Sequence, residues 1–179
     1  MRAINITGKH NIDKINEIDN KSYKAVRKNM LKIDPDLLIN HQRQLEILRE
    51  IYVLDGAGAG AGGGDMASLF KSELIHKIQG YKGQDIKKEI HNAETLINLE
   101  HVLEKLVASN LECAYCSKPV FILYKNVREP WQWTLDRLDN DLGHTMENTC
   151  ISCLKCNLQR RLIDADKFTF TKKLKINKV

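Results

Sequence analysis

The sequence predicts an α+β fold, with helices up to about residue 110 followed by a zinc-anchored module of strands and one helix. Two Cys-x-x-Cys pairs in the second half of the chain are the first observation behind this prediction. Two such turns supply the four thiolates of a tetrahedral zinc site. The second observation is the spacing of apolar residues, which is helical before the first pair and strand-like between the pairs.

The 179 residues are predicted to divide into five parts. Residues 1–55 form a helical segment, 56–65 a linker, 66–110 a helical arm, 111–166 the zinc module and 167–179 a basic tail. No run of apolar residues approaches the length of about 20 that a membrane-spanning helix needs, so no membrane association is expected.

The helical segment is predicted from a start signal and an apolar stripe. Asp34 and Pro35 are typical of an N-cap and a first helical position. Apolar side chains then recur every three or four residues up to Tyr52. Residues 11–33 predict one broken or two short helices.

The linker consists of Gly and Ala from position 56 to 64, a composition typical of flexible, engineered connections. It either replaces a native loop or joins two polypeptides. In the second case, residues 1–55 would be a tethered partner or regulator of the remaining chain.

The helical arm is predicted to contain two helices. The first covers residues 68–78 and gives way to a basic connector with Gly80 and Gly83. The second covers residues 98–109, with Asn98 as its cap. Its apolar stripe leads directly to the first cysteine pair.

Strands are predicted inside the zinc module at residues 120–124, 131–135 and 149–151, where β-branched and aromatic residues are frequent. Residues 139–148 predict a polar loop, and residues 154–165 a helix that starts within the second cysteine pair.

The predicted zinc ligands are Cys113, Cys116, Cys153 and Cys156. The alternative is that they are buried, reduced cysteines that pack as small apolar groups. The fifth cysteine, Cys150, is expected to pack, because four ligands complete the site. Cysteines used in this way favour a reducing, intracellular compartment, either the cytoplasm or the nucleus.

A second, catalytic cation is predicted between Asp136 and Asn157. Asp136 ends a predicted strand, and Asn157 follows the last cysteine in the first turn of a helix. Zinc would fix these two elements relative to each other, and the two oxygen ligands suit Mg²⁺ or Mn²⁺. The alternative roles are a turn residue and a capping residue.

The net charge of +5 is concentrated after the second cysteine pair. Residues 157–179 contain seven Lys and Arg against two Asp, whereas the preceding residues are balanced. A basic edge beside a metal site favours a polyanionic partner such as nucleic acid. Arg160 and Arg161 lie three and four positions after Asn157, so we expect them to face phosphate at the metal.

The motifs together resemble the HNH endonucleases, which have a ββα-metal (His-Me finger), treble-clef-like fold. The resemblance rests on Cys-x-x-Cys, Leu-Asp-Arg-Leu-Asp-Asn, Gly-His-Thr-Met-Glu-Asn and Cys-x-x-Cys-Asn, within about residues 111–162. The chain is most similar in type to the zinc-stabilised members, such as phage recombination endonuclease VII and the homing and giant-virus proteins.

The resemblance implies a function and several site residues. It implies hydrolysis of phosphodiester bonds in DNA, branched or at a homing site, with a structural Zn²⁺ and a catalytic Mg²⁺ or Mn²⁺. Asp136 and Asn157 would hold the catalytic cation, and Asn148 would shape the loop between the strands. A viral protein in a host cell, and a homodimer, are both compatible with it.

One position departs from the family pattern. The residue that usually activates water is His, and here it is Arg137, which stays protonated and cannot take a proton at neutral pH. Three interpretations remain open. His144 acts as the base; a water on the cation or Asp139 does so while Arg137 clamps phosphate; or the module is non-catalytic and only binds nucleic acid or protein.

Overall fold

The computed structural model describes residues 26, 27, 30, 32–56 and 64–174. In this part of the chain the fold is α+β. Its helices are α1 (His41–Gly56), α2 (Asp65–Lys87), α3 (Leu99–Ala108), α4 (Leu154–Arg160) and α5 (Ala165–Lys173). The strands are β1 (Trp133–Arg137) and β2 (Thr149–Cys153). Most of residues 11–33, where one broken or two short helices were predicted, lies outside the described residues, as do the centre of the linker and the end of the basic tail.

Helices α1, α2 and α3 share one hydrophobic core with the cysteine-rich part. The core includes Leu48 of α1, Phe70 and Leu74 of α2, Leu106 of α3 and Trp133 of β1, each with an exposed fraction near zero. Burial of these side chains is the main stabilising contribution to such a fold. The described part of residues 1–55 is therefore packed into the same core as the cysteine-rich part.

Helix α1 begins later than predicted. Residues 35–39 form turns, and the backbone N–H of Arg43 donates to the Asn40 side chain at 3.0 Å, so Asn40 is the N-cap. Helix α3 matches its prediction, because the Asn98 side chain accepts from the His101 N–H at 2.9 Å.

Helix α2 differs most from its prediction. It continues for 23 residues through Gly80 and Gly83, where a connector was expected. Gly destabilises a helix interior by about 1 kcal/mol relative to Ala. Here the burial of Ile78, Tyr81 and Asp85 along one face continues the helix beyond both glycines.

The two strands form an antiparallel pair in which Trp133 faces Cys153 and Arg137 faces Thr149. Asp136 is therefore the penultimate residue of β1, and the second cysteine pair begins where β2 ends. Residues 154–160 continue directly as α4, which is shorter than predicted, because Arg161 adopts a φ of 52° and ends the helix.

The strand predicted at residues 120–124 is absent from the described ladder and makes only an isolated bridge, from Phe121 to Gln132. Backbone groups of Ile122 and Leu123 are satisfied by a side chain instead. Gln44 of α1, which is completely buried, accepts from the N–H groups of Ile122 (2.8 Å) and Leu123 (3.0 Å). Its amide group donates to the Leu123 carbonyl at 2.9 Å.

No helix among the described residues combines the length and the apolar character that a membrane span requires.

Candidate functional site

Four cysteines form a cluster with the dimensions of a metal site. The Sγ atoms of Cys113, Cys116, Cys153 and Cys156 all lie within 4.8 Å of one another, and Cys116 and Cys153 are 4.0 Å apart. Zn–S bonds of about 2.3 Å in a tetrahedron place sulfur atoms roughly 3.8 Å apart. The donor set and the spacing therefore fit a structural zinc ion.

Backbone hydrogen bonds shape the first cysteine pair into a tight turn. The N–H of Ser117 donates to the Cys113 carbonyl at 2.8 Å, and the N–H of Cys113 donates to the Lys118 carbonyl at 2.9 Å. The N–H of Ala114 donates to Ile151 of β2 at 2.9 Å, which ties this turn to the sheet.

The second pair lies at the start of α4. Cys153 is the N-cap of this helix, and its sulfur accepts from the Cys156 N–H at 3.4 Å. A thiolate at a helix N-terminus is favoured by the unpaired backbone N–H groups there. The second pair of candidate metal ligands thus coincides with the start of α4.

The thiols influence one another's ionisation. The side-chain hydrogen bond with Cys153 lowers the pKa of Cys113 to about 5, whereas burial raises the pKa of Cys156 to about 12. Thiolates at this separation repel one another, so ionisation of all four requires a cation among them.

Tyr115, inside the first cysteine turn, connects this cluster to the predicted catalytic aspartate. Its hydroxyl donates to Asp136 Oδ2 at 2.6 Å, and its ring packs edge-on against Phe168 of α5 at 5.0 Å. Burial and the hydrogen bond to Asp136 raise the pKa of Tyr115 above its ordinary value. Asp136 is therefore held in place by the first cysteine turn itself.

Arg160 holds the same carboxylate from the other side. Its Nε donates to Asp136 Oδ2 at 2.5 Å and its Nη2 to Oδ1 at 3.0 Å. Further bonds run from the guanidinium to the backbone carbonyls of Ile163 (2.8 Å) and Arg137. This position differs from the expectation that Arg160 faces nucleic acid, because the side chain folds back over β1 and is only 1% exposed.

Asn157 lies in the first half of α4, beside the end of β1. Its Nδ2 donates to Thr134 Oγ1 and to the Leu135 carbonyl, both at 3.2 Å. Because the Leu135 carbonyl can only accept a hydrogen bond, the NH₂ group of the Asn157 amide is the one that faces β1. The amide oxygen makes no hydrogen bond to any described residue.

Asp136 and Asn157 can together offer a cation such as Mg²⁺ two oxygen ligands. An ionised carboxylate has roughly four acceptor positions, and Tyr115 and Arg160 use three of those of Asp136. The remaining position on Oδ1 and the amide oxygen of Asn157 belong to residues that line the same cleft. Mg²⁺ keeps several waters and needs few protein ligands, so the donor set fits, although the charge of Arg160 competes with the cation.

Asn148 fastens the loop between β1 and β2. Its Oδ1 accepts from the Asp139 N–H at 2.9 Å, and its Nδ2 donates to the carbonyls of Asp139 (2.9 Å) and Gly143 (3.0 Å). Its own carbonyl accepts from the Leu138 N–H at 2.8 Å. These bonds fix the loop that contains His144.

His144 lies in this loop and is 3% exposed. Asp85 of α2 holds it twice, at 2.7 Å from the backbone N–H to Oδ2 and at 2.7 Å between Nδ1 and Oδ1. The ring stacks on Tyr81 at 4.7 Å between centroids. Burial lowers the pKa of His144, and the hydrogen bond to Asp85 opposes that effect.

Arg137 is also buried and bound within the protein. Its Nη1 donates to the Leu142 carbonyl at 3.2 Å and lies 3.8 Å from Asp85 Oδ1. It nevertheless lines the cleft, whereas Arg161 is exposed at the edge of the same cleft. Of the three arginines predicted at this site, Arg161 is the one with an exposed side chain.

A cleft of about 570 Å³ brings these groups together. Its walls come from α2, β1, the loop that contains His144, and the start of α4. The cleft residues that carry basic side chains are Arg27, His76, Lys77, Arg137, His144 and Arg161. Asp136 is the acidic residue among the described lining residues, so the cleft suits an anionic ligand.

Helix α2 contributes site residues that sequence reasoning missed. Tyr81 accepts the Leu135 N–H at 3.0 Å, Asp85 holds His144, and Lys77 donates to Gln132 at 3.0 Å. One signal was available: Phe70, Leu74, Ile78, Tyr81 and Asp85 recur at intervals of three and four. Extending the helical period through the two glycines would have placed Tyr81 and Asp85 on the buried face.

Comparison with family models, with curated proteins and with solved structures finds no match to this chain. The resemblance to the HNH endonucleases therefore rests on the motif residues alone.

Proposed function

We propose that the chain is a metal-dependent endonuclease that hydrolyses phosphodiester bonds in DNA. The observation that carries the proposal is that Asp136, Asn157 and His144 line one cleft, although they come from a strand, a helix and a loop. A cation ligand pair and a titratable base in one basic cleft are what phosphodiester hydrolysis requires.

The four-cysteine cluster has a structural role in this proposal. Four thiolates leave a tetrahedral zinc ion with no open position for substrate. The cluster instead fixes β2 to α4, and through Tyr115 it fixes Asp136. The catalytic groups are thereby positioned by elements that the metal ligands hold together.

Asp136 and Asn157 would hold the catalytic Mg²⁺ or Mn²⁺ through one oxygen each. When bound, this cation neutralises charge that develops on the phosphate oxygens. Arg160 and Tyr115 restrict the Asp136 carboxylate to one orientation, with its remaining acceptor position on Oδ1.

His144 serves as the general base. Its Nε2 makes no hydrogen bond among the described residues, and the residue lines the cleft. Nε2 takes the proton of the attacking water, whose oxygen forms a bond to phosphorus as the bond to the leaving oxygen breaks. Arg137 and Arg161 supply positive charge along the cleft for the DNA backbone.

A plasmid-nicking assay with Mg²⁺ or Mn²⁺ tests the proposal. The wild type and Asp141→Ala are expected to nick plasmid at similar rates. Asp141 is an exposed carboxylate in the loop between β1 and β2 and serves as the control. Asn157→Ala and the Asp136→Ala/Asn157→Ala double variant should lose about 10²-fold or more of that rate. Equal zinc content in all samples verifies that the cysteine module is intact. Equal background nicking by wild type and double variant would overturn the proposal.

A second function is favoured by two observations. Arg160 and Tyr115 together take three of the roughly four acceptor positions of Asp136, and a protonated arginine occupies the usual base position at Arg137. Both facts suit a non-catalytic zinc module that binds nucleic acid. A non-catalytic module of this kind would shift DNA in a gel without a divalent cation and would show no nicking. Its affinity for DNA would fall in Arg161→Gln but not in Asn157→Ala.

A further inference from the structure

We propose that Asp85, on helix α2, is a positioning residue that orients His144 as the general base of the cleft. This inference rests on the proposed nuclease function and deepens it. It assigns a role to a helix that lies outside the motif region and that contains none of the sequence-predicted site residues.

The contact between the two residues is specific in its geometry. Both carboxylate oxygens of Asp85 are used on one residue, Oδ2 for the His144 backbone N–H and Oδ1 for Nδ1, each at 2.7 Å. The two residues are 59 positions apart, and Asp85 is 1% exposed. A carboxylate is buried at a cost unless its acceptors are used, and here each oxygen has a donor.

The contact also selects the tautomer of the ring. An ionised carboxylate has only acceptors, so Nδ1 carries the proton and Nε2 of the neutral ring keeps its lone pair. Nε2 is then the atom able to accept a proton from water. The carboxylate further stabilises the imidazolium that forms when it does so.

Several other groups face the imidazole. From α2, the Tyr81 ring stacks on it at 4.7 Å. From β1, Arg137 reaches the same Asp85 oxygen at 3.8 Å. Arg137 and Lys88 oppose protonation of His144, as does burial, whereas Asp85 favours it. Asp85 is thus the one acidic group among these neighbours that supports a proton on the ring.

Gly143 is required for this close approach. A Cβ at this position would lie 2.9 Å from the Ile90 carbonyl oxygen and 3.1 Å from Asp85 Oδ2. The Ile90 carbonyl belongs to the backbone, so the backbone at Gly143 would have to shift relative to Ile90 and to the Asp85 carboxylate. Gly143→Ala therefore disturbs the contact without removing either of its partners.

The experiment combines nitrogen NMR of ¹⁵N-histidine-labelled protein with a pH profile of plasmid nicking. Variants are Asp85→Asn and Gly143→Ala, with Gly83→Ala as the matched control, since a Cβ there meets nothing within 4 Å. His144→Gln identifies the ring signals, and zinc content and thermal unfolding verify folding. In the wild type we expect protonated Nδ1 and unprotonated Nε2 on His144.

Asp85→Asn should lower the plateau of the nicking rate by about 10²-fold or more. It should also move the rising limb of the pH profile to lower pH, because the imidazolium loses its carboxylate. A purely structural role would lower the rate without that shift. Gly143→Ala should show a smaller change in the same direction, and Gly83→Ala none.

Two results would overturn the role of Asp85 alone. One is a wild type with protonated Nε2 on His144. The other is a nicking wild type whose rate and pH profile are matched by folded Asp85→Asn and Gly143→Ala. A wild type that fails to nick at any pH, with Nδ1 protonated, would instead overturn the proposed nuclease function and the catalytic role of His144 with it.

Discussion

Arg160 and Asp136 form a buried, bidentate ion pair that joins the last residue of α4 to β1. Nε lies 2.5 Å from Oδ2 and Nη2 lies 3.0 Å from Oδ1, with both side chains less than a tenth exposed. Arg has the planar donor fork that this geometry needs. The pair fixes the end of α4 over the candidate site and neutralises the carboxylate there.

Loss of this guanidinium should destabilise the fold strongly. Removing one partner of a buried pair leaves an uncompensated charge, which costs about 3–5 kcal/mol. Arg160→Leu is therefore expected to lower the free energy of unfolding by that amount in urea titrations. Arg161→Leu is the matched control, because Arg161 is exposed and should change stability by no more than about 0.5 kcal/mol. Equal stability of the two variants would contradict the structural role of Arg160.

Substitution of Cys153 and substitution of Cys150 should have very different effects on zinc content and stability. Wild-type protein should contain about one zinc per chain. Cys153→Ser removes a ligand that is also the N-cap of α4. It should lose the metal and more than about 4 kcal/mol of stability, in the range typical of metal loss.

Cys150→Ser is the control for this change. Cys150 is half-buried on β2, outside the four-thiol cluster, with its sulfur 3.4 Å from the Tyr115 hydroxyl. Zinc content by metal analysis should stay at the wild-type value. A wild type without zinc, in which all five thiols react while the protein stays folded, would contradict the metal site.

Local sequence signals were sufficient for the elements whose stability is local. The clustering of the four cysteines follows from two short turns, and the Asn98 cap of α3 follows from one residue and its helix. Strand β1 was expected within two residues of its observed position. The presence of a second, catalytic cation remains a prediction.

Contacts between distant parts of the chain account for what the sequence could not predict. The composition of residues 120–124 favours a strand, but a side chain 79 residues away from Leu123 replaces the strand partner. Likewise, the two glycines of α2 disfavour a helix locally, and burial of Tyr81 and Asp85 outweighs that preference. The bond between Arg160 and Asp136 is also invisible to helical periodicity, which places side chains on faces but not in contacts.

Substitution of Gln44, whose side chain makes four buried hydrogen bonds, should strongly lower the free energy of unfolding. Gln44→Leu would leave the N–H groups of Ile122 and Leu123 and the carbonyls of Leu37 and Leu123 without their partner. Each buried, unpaired group costs about 1–3 kcal/mol, so we expect a loss of about 3 kcal/mol or more. Gln42→Leu, at an exposed position of the same helix, should change the urea midpoint little. A stable Gln44→Leu protein would show that water replaces the amide.

Lys77 predicts a pH dependence of stability. Its Nζ donates to Gln132 Oε1 at 3.0 Å and to the Trp133 carbonyl, and lies 4.8 Å from the centre of the Trp133 ring. Burial, and then the guanidinium of Arg27, lower the pKa of Lys77 to about 7. An unfolded lysine keeps its proton up to an ordinary pKa of 10.5.

Between pH 7 and about 10 the unfolded state therefore binds more protons at this position, so the contribution of Lys77 makes stability rise with pH there. The slope is at most about 1.4 kcal/mol per pH unit for one proton, and it vanishes below pH 7, where both states are charged. Urea titrations at pH 6, 7, 8 and 9 give the free energy of unfolding of wild type and of Lys77→Met. The difference between the two should rise with this slope above pH 7. Lys87→Met, at an exposed position of α2, should leave the slope unchanged. If wild type and Lys77→Met keep a constant stability difference over that range, Lys77 retains an ordinary pKa in the folded protein.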